Sequence, residues 1–181
     1  MQTFSNPQKH IDVDIFGRCG DYPDCWDTSE PGAVLPGCRP FNYAFEDYRF
    51  YLAFENSFCT DYITEKFFKV FDYNRTAIPV VRGGAHYDSF FPPGTFVNAA
   101  HFKGPEELAL HLRQLSEDVD RYSELVQTKY KYVHDERHLP GLYCGVCEFL
   151  NKRDVDERRL YDMRTWVDVH SCRHPDDGYI T

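Results

Sequence analysis

The chain has 181 residues, 42% of them hydrophobic, and a formal net charge of -9. This length fits one domain of ordinary size, and the apolar content is enough for a packed core, which argues against global disorder. The acidic balance argues against a general nucleic-acid-binding protein, because such proteins usually carry a basic face. The sequence contains no run of about 18 apolar residues and no signal-peptide pattern, so it predicts no membrane span of its own.

Cysteine usage points to an oxidising compartment. The chain has seven cysteines, and several of them lie in segments rich in glycine and proline, which favours disulfides. An odd count leaves at least one cysteine without a partner inside the chain. Asn74 begins an Asn-Arg-Thr triplet and is a candidate N-glycosylation site, which is compatible with a secretory-pathway protein. The cysteines are Cys19, Cys25, Cys38, Cys59, Cys144, Cys147 and Cys172.

The first third of the chain predicts two strands and a helix. Residues 10–17 are rich in β-branched and aromatic side chains and end at a glycine, which predicts a strand. Residues 18–47 predict a long irregular segment that holds three of the cysteines. Residues 48–55 are apolar on both faces apart from one arginine, as in a strand inside a parallel sheet. The helix that follows has an apolar face of helical period, with Asp61 as the predicted N-cap.

The remaining elements continue this alternation. Residues 77–81 and 95–99 predict two further strands, and residues 104–118 and 120–135 predict two helices. The last forty residues predict a charged, helical and partly irregular tail. Strands that alternate with helices at this spacing indicate βαβ units, so the predicted fold is α/β, with a Rossmann-like parallel sheet and flanking helices.

Polar side chains crowd the connection between the second predicted strand and its helix. Glu55, Asn56 and Ser57 follow the strand, and residues 62–66 begin the helix. Ligands of open α/β sheets bind beyond the carboxyl ends of the strands, where the helix start would present free N–H groups. Lys66 suits a phosphate, and the Glu65 carboxylate suits the vicinal hydroxyls of a ribose, so a nucleotide or nucleotide-sugar fits. The alternative is a solvated lysine beside an acidic first-turn residue, and these residues alone leave both interpretations open.

Longer stretches of the sequence resemble the α1,3-fucosyltransferase family. The stretch "YRFYLAFENSFCTDYITEKFF" is similar to the donor-binding motif of that family, and the segment that begins "IPVVRGGAHYDSFFPPG" is similar to the segment that follows it. With "DVDIFGRCG" and "YCGVCEFL" the resemblance is strongest to invertebrate members, and it covers roughly residues 11–133.

The resemblance implies a fold and a donor site. It implies the carboxyl-terminal half of a GT-B type glycosyltransferase, the half that binds GDP-fucose. Residues 1–140 would form this GDP-fucose-binding domain, incomplete at its N-terminus, and residues 141–181 a cysteine-containing tail. The donor-binding positions carried over are Tyr51, Asn56, Tyr62, Glu65 and Lys66. Lys66 and Tyr62 would address the pyrophosphate with Asn56 beside them, and Glu65 the ribose.

The resemblance also implies an activity and a location. The family transfers L-fucose with inversion, in α1,3 linkage, to a GlcNAc of a glycoprotein glycan, on the lumenal side of the Golgi membrane. The general base belongs to the amino half of the family, which we expect this chain to lack together with any membrane anchor. We therefore nominate no catalytic residue, and a non-catalytic nucleotide-sugar-binding remnant or pseudoenzyme is the alternative function. Arg82 departs from the family pattern; it is expected to point to solvent, and the alternative is that it compensates for a missing cation.

Two patterns suggest metal sites, and neither is favoured. Cys144, Cys147, Cys172 and His174 could be read as a zinc set, but Cys-Arg-His is not a usual second pair of ligands. The family resemblance instead implies that these cysteines form disulfides, either locally or to the absent half. The stretch "HDERH" at residues 134–138 lacks the glutamate beside the first histidine that a zincin needs. No protein-bound metal and no cofactor are predicted, and GDP-fucose is the expected donor substrate.

Overall fold

The computed structural model describes residues 11–16, 47–71, 75–132, 139–152, 162 and 172–174. Helices and strands alternate through the central part of the chain. In chain order the elements are β1 (Phe50–Phe54), β2 (Phe58–Cys59), α1 (Glu65–Phe68), a 3-10 helix (Lys69–Phe71), β3 (Ile78–Arg82), α2 (Tyr87–Phe90), β4 (Val97–Asn98), a second 3-10 helix (Ala99–His101), α3 (Pro105–Glu117), α4 (Val119–Tyr130), α5 (Leu139–Lys152) and β5 (Cys172–Arg173).

β3 is the central strand of a parallel sheet. The strand order is β1-β3-β4, and both pairings are parallel. Val80 of β3 lies in register with Leu52 on one side and Val97 on the other. All five residues of β3 are buried, as expected for a parallel strand with helices on both faces. The predicted α/β fold with a parallel sheet and flanking helices is confirmed.

The two faces of the sheet pack against different helices because successive side chains of a strand point to opposite sides. Ile78 and Val80 lie in one apolar cluster with residues of β4, α3 and α4, including Leu112. Val81 lies in a second cluster with Phe67 of α1 and other residues of the opposite face. The sheet is therefore the middle layer of the core.

The element boundaries follow the apolar pattern closely in the centre of the chain. β1, β4 and α3 lie within their predicted ranges, and β3 extends one residue further, to Arg82. α4 ends at Tyr130, earlier than the predicted 120–135 helix. The tail contains the predicted helical structure, and it also contains a short strand, β5, that was not predicted. No helix in the described ranges is long and apolar enough to cross a membrane.

The strand predicted for residues 10–17 is wrong for the six residues that the structure describes there. Residues 11–16 contain only an isolated bridge, at Phe16. Ile11 packs against the first apolar cluster, and the Tyr48 hydroxyl donates a hydrogen bond to Asp14. The alternating pattern of this segment thus matches an alternation of half-buried and exposed residues at positions 11–14, without a continuous hydrogen-bonded ladder.

Several predictions lie outside the described residues. They are the irregular segment with Cys19, Cys25 and Cys38, the glycosylation candidate Asn74, and the two histidines at positions 134 and 138. The proposed boundary between residues 1–140 and 141–181 stays a prediction.

A buried lysine lies at the amino-terminal end of β3, the central strand. Lys129 of α4 is 0% exposed. Its ammonium donates hydrogen bonds to three backbone carbonyls, those of Val70 at 2.6 Å, Arg75 at 2.6 Å and Ala77 at 2.8 Å. An ammonium has three N–H donors, so these bonds use all of them. They tie α4 to the connection that leads into β3.

We expect Lys129→Met to lower the free energy of unfolding by about 3 kcal/mol, because three carbonyls lose a charged donor while they remain buried. Lys131→Met is the matched control, since Lys131 is exposed just beyond the same helix, and its effect should stay within about 0.5 kcal/mol. Urea denaturation of both variants measures the difference. Equal midpoints for the two variants would contradict this role of Lys129.

Candidate functional site

The polar connection predicted to hold a ligand lies at the carboxyl end of β1, next to β3. The Glu55 N–H donates to the Arg82 carbonyl at 2.9 Å, which extends the β1-β3 ladder by one bond. Glu55 is 5% exposed. Its carboxylate accepts hydrogen bonds from the Thr64 N–H at 2.8 Å and the Thr64 hydroxyl at 2.7 Å. The buried carboxylate therefore fastens the end of β1 to the start of α1.

Thr64 is the N-cap of α1. Its side-chain oxygen accepts from the Lys66 N–H at 3.4 Å, as an N-cap does. The predicted N-cap, Asp61, is wrong: Asp61 lies in a turn with a positive φ of 58°, where the Tyr62 N–H donates to the Cys59 carbonyl. The helix starts later because Glu55 holds Thr64 in place. α1 is consequently only four residues long and continues as the 3-10 helix Lys69–Phe71.

Two of the N–H groups expected to be free at this helix start already have partners. The Thr64 N–H is bound by Glu55, and the Lys66 N–H by the Thr64 hydroxyl. The expectation that free backbone donors would receive a phosphate is therefore wrong for these two groups. The side chain of Lys66 supplies positive charge at the turn, and the charge of Lys69 also reaches Glu65.

Lys66 lies between two carboxylates. Its ammonium is 3.7 Å from the Glu55 carboxylate and 3.8 Å from that of Glu65, and it donates to the Thr64 hydroxyl at 3.2 Å. The Lys66 side chain is 23% exposed and the Glu65 side chain 65% exposed. Hydrogen bonding to the Glu65 backbone N–H and then the charge of Lys66 lower the pKa of the Glu65 carboxyl. Glu65 is thus an ionised, exposed acceptor beside a cation.

Tyr51 lies near both carboxylates. Burial, followed by the charges of Glu65 and Glu55, raises the pKa of the Tyr51 hydroxyl to about 12. The hydroxyl is therefore protonated at neutral pH and can donate a hydrogen bond. Tyr51, Glu65 and Lys66 form one group. Asn56 and Tyr62 are exposed to solvent and lie before and after β2 in the chain.

The double glycine after β3 has a packing role that the sequence did not reveal. A Cβ on Gly84 would lie 2.5 Å from the backbone of Phe58 and 2.6 Å from that of Cys59. A Cβ on Gly83 would lie 3.0 Å from the Tyr87 hydroxyl and 3.1 Å from the Glu55 side chain. These contacts explain why the turn after β3 packs directly against the polar connection. A double glycine straight after a buried strand is the signal that could have indicated such an approach.

Tyr87 is a second residue that sequence reasoning missed. It is 1% exposed, and its hydroxyl has no hydrogen-bond partner among the described residues. Burial and the charge of Glu55 raise the pKa of this hydroxyl. The side chain belongs to the same apolar cluster as Phe67, and its hydroxyl lies close to Gly83, as the Glu55 side chain does.

A polar network also forms at the carboxyl end of β4. The Asn98 side chain donates to Asp88 of α2 at 2.7 Å and accepts from the Ala100 N–H at 3.0 Å. His101 lies 3.1 Å from the same Asp88 oxygen. These bonds cap the second 3-10 helix and hold α2 against β4.

Arg82 does not point to solvent as expected. It is 2% exposed, and its guanidinium lies 4.6 Å from the centroid of the Phe58 ring and 5.9 Å from that of Phe54. A planar guanidinium stacks well on aromatic faces. The residue is held beneath β2 because Phe58 covers it.

The cysteines of the tail are used differently from one another. Cys172 forms a disulfide with Cys59, so a disulfide of Cys172 is confirmed. Cys172 is therefore not available to complete a zinc set with Cys144, Cys147 and His174. Cys144 and Cys147 are exposed free thiols on α5, which contradicts the local disulfide considered for them. No group of three or more potential metal ligands occurs in the described part of the chain.

We expect Thr64→Val to destabilise the fold by about 1–2 kcal/mol, because it removes the N-cap and the hydroxyl donor to buried Glu55 while it keeps the side-chain shape. Thr60→Val is the control, since Thr60 is an exposed β-branched residue of the same turn. Thermal unfolding of the two variants tests the difference. Equal stability of both variants would mean that Glu55 finds other donors.

The sequence of the chain is similar to those of known proteins. The model of the family described as glycosyltransferase family 10 (fucosyltransferase) C-term matches residues 1–166. The chain is 37% identical over 171 residues to glycoprotein 3-alpha-L-fucosyltransferase A of Drosophila melanogaster, with 92% of this chain and 31% of that protein covered. It is 34% identical over 168 residues to alpha-(1,3)-fucosyltransferase C of the same organism, with 92% of this chain and 36% of that protein covered.

A nematode relative agrees with these two. Alpha-(1,3)-fucosyltransferase fut-1 of Caenorhabditis elegans is 32% identical over 148 residues, which cover 77% of this chain and 32% of that protein. The chain thus spans about a third of the length of the curated relatives it matches. With a parallel α/β sheet, and with the family match over most of its length, the chain belongs to glycosyltransferase family 10, the fucosyltransferases, and corresponds to their C-terminal domain.

Proposed function

We propose that this chain is the donor-binding part of an inverting α1,3-fucosyltransferase. It binds GDP-fucose, and the protein to which it belongs transfers L-fucose to a GlcNAc of a glycoprotein glycan. Membership of the family and the printed activities of the relatives support this assignment. They favour a transferase over the non-catalytic remnant, since the relatives are named as transferases.

The observation that carries the proposal is the pairing of Lys66 with Glu65 at the carboxyl end of β1. The ammonium and the carboxylate lie 3.8 Å apart, and both side chains reach solvent. A nucleoside diphosphate needs a cation for its phosphates and an acceptor for its ribose hydroxyls, and these two residues offer both. The carboxyl ends of parallel strands are where ligands of open α/β sheets bind.

The buried carboxylate of Glu55 gives Lys66 a fixed starting position. Glu55 holds Thr64, and both residues contact the Lys66 ammonium. A bound diphosphate would add negative charge beside an ammonium that is already oriented. Preorganised charge of this kind stabilises a developing charge without reorganisation at the moment of reaction.

The same charge supports the chemical step. In an inverting displacement the acceptor hydroxyl oxygen bonds to C1 of fucose while the bond from C1 to the phosphate oxygen breaks, and the electron pair leaves with GDP. Lys66 would stabilise the charge that develops on the leaving diphosphate, and the protonated Tyr51 would donate a hydrogen bond in the same site. The proton of the acceptor hydroxyl goes to a general base, which we assign to no residue of this chain.

We also propose a lumenal Golgi location. The Cys59–Cys172 disulfide supports an oxidising compartment.

We expect Lys66→Gln to weaken GDP binding by about 10- to 100-fold, because a charge-assisted phosphate contact is worth about 1.5–3 kcal/mol. Guanosine, which has no phosphate, should bind this variant as well as it binds the parent chain. Glu65→Gln should instead weaken both ligands, since both carry the ribose. Calorimetric titration of the oxidised chain with each ligand measures these affinities.

Lys103→Gln controls for the loss of one positive charge, because Lys103 is exposed and lies in the turn before α3. It should bind GDP like the parent chain. An unchanged GDP affinity in Lys66→Gln, in a chain that unfolds at the parent temperature, would exclude this donor site.

A further inference from the structure

A buried hydroxyl lies beside the candidate site without a hydrogen-bond partner among the described residues. It belongs to Tyr87 of α2, which is 1% exposed. The rings of Phe67, Phe91 and Phe96 pack around the Tyr87 ring, with centroids 5.8 Å, 6.3 Å and 6.2 Å away. A buried phenol usually has a hydrogen-bond partner, because a buried donor left unsatisfied costs free energy. A phenylalanine would fill the same apolar space without that cost, so packing alone does not explain the hydroxyl.

The Tyr87 hydroxyl and the Glu55 side chain lie against the same point of the backbone. A Cβ on Gly83 would be 3.0 Å from the hydroxyl and 3.1 Å from Cγ of Glu55. Burial, followed by the negative charge of Glu55, raises the pKa of the hydroxyl. The hydroxyl is therefore protonated at neutral pH, and it is a potential donor next to a buried carboxylate.

Glu55 has other partners in the free chain. Its carboxylate accepts two hydrogen bonds from Thr64, and the Lys66 ammonium lies 3.7 Å from Oε2. An ionised carboxylate has about four lone-pair sites. The two hydrogen bonds from Thr64 therefore leave room for a further donor.

A bound diphosphate would change the balance of charge at Glu55. In the proposed donor site the Lys66 ammonium binds phosphate oxygens, so a ligand draws positive charge away from Glu55. The charge of Lys69 acts on Glu65, the other carboxylate beside Lys66. A buried carboxylate that loses positive charge needs compensation by hydrogen bonds. The Tyr87 hydroxyl is placed to supply one.

We infer that Tyr87 is a positioning residue of the donor site, whose hydroxyl donates a hydrogen bond to Glu55 when a diphosphate engages Lys66. This inference rests on the proposed donor site. The new bond compensates Glu55, so that Glu55 continues to hold Thr64, the N-cap of α1, while Lys66 contacts the ligand. Gly83 permits the exchange of partners because a side chain at that position would lie between the two groups.

Urea denaturation tests the exchange of partners without a ligand. In the parent chain Tyr87→Phe should not lower the midpoint, because the hydroxyl has no bond to lose. In the Lys66→Gln background the same change should raise the equilibrium constant of unfolding by about tenfold, because the hydroxyl then compensates Glu55. Tyr132→Phe removes an exposed phenol hydroxyl and should leave the midpoint unchanged in both backgrounds.

Calorimetric titration of the oxidised chain with GDP and with guanosine tests the connection to the ligand. Tyr87→Phe should weaken GDP binding by about tenfold, since a hydrogen bond to a charged group is lost in the complex alone. Guanosine binding should stay unchanged, because guanosine has no phosphate to engage Lys66. In the Lys66→Gln background Tyr87→Phe should cause no further loss of GDP affinity. Tyr132→Phe should bind both ligands like the parent chain.

Each contrary outcome has a separate meaning. Unchanged GDP affinity in Tyr87→Phe, when the parent chain binds GDP, would overturn the role of Tyr87 and leave the donor site intact. An equal loss for GDP and guanosine, or an equal loss of stability with and without Lys66, would also overturn it, because the hydroxyl would then act only in packing. A parent chain that binds no GDP would overturn the proposed donor site and this inference together.

Discussion

The buried carboxylate of Glu55 is the contact on which the candidate site depends. It lies at the end of β1, is almost completely shielded from water, and accepts two hydrogen bonds from Thr64. A buried carboxylate is tolerated only when hydrogen bonds or opposite charge compensate its lost hydration. Thr64 supplies the hydrogen bonds and Lys66 supplies the charge. The need to satisfy one acid thus fixes the start of α1, the N-cap and the position of the cation.

The opposite end of the strands, where the chain enters β3, is held in a similar way by a buried cation. Lys129 binds three carbonyls where the chain enters β3, and the two apolar clusters fill the layers between the edges. A central strand buried along its whole length cannot shift its register without exposing apolar side chains. Packing fixes the register of the sheet. The hydrogen bonds of buried Glu55 and buried Lys129 hold the connections at its two ends.

The polar residues after β1 divide between a structural role and the proposed donor-binding role. Thr64 and Glu55 stabilise the turn, whereas exposed Glu65 and half-buried Lys66 are the proposed ligand contacts. The crowding of polar residues after β1 is thus partly structural, and the proposed donor site would use the remaining residues. The disulfide to the tail adds a third requirement, because β2 must stay accessible to β5 while it covers Arg82. These constraints explain why the turn cannot be regarded as a simple phosphate loop.

The sequence by itself determined the layers and the family. Apolar runs predicted β1, β3, β4 and α3 to within two residues at each end, and burial on both faces of a parallel sheet leaves a continuous signal in its strands. The motif around Glu65 and Lys66 indicated the nucleotide-sugar class, and the family match agrees with it. Propensity failed where a distant partner decided the outcome: Asp61 is a good N-cap by composition, but Glu55 selects Thr64 instead.

Only the tertiary structure decided which distant groups meet. Arg82 is buried because Phe58 stacks on it, and Arg173 reaches the same ring because a disulfide closes 113 residues of chain. Neither contact leaves a periodic pattern in the sequence, since each depends on the relative position of separate elements. Local hydrogen bonding and burial can be read along the chain, whereas contacts between distant charges appear only after the sheet and the tail are assembled.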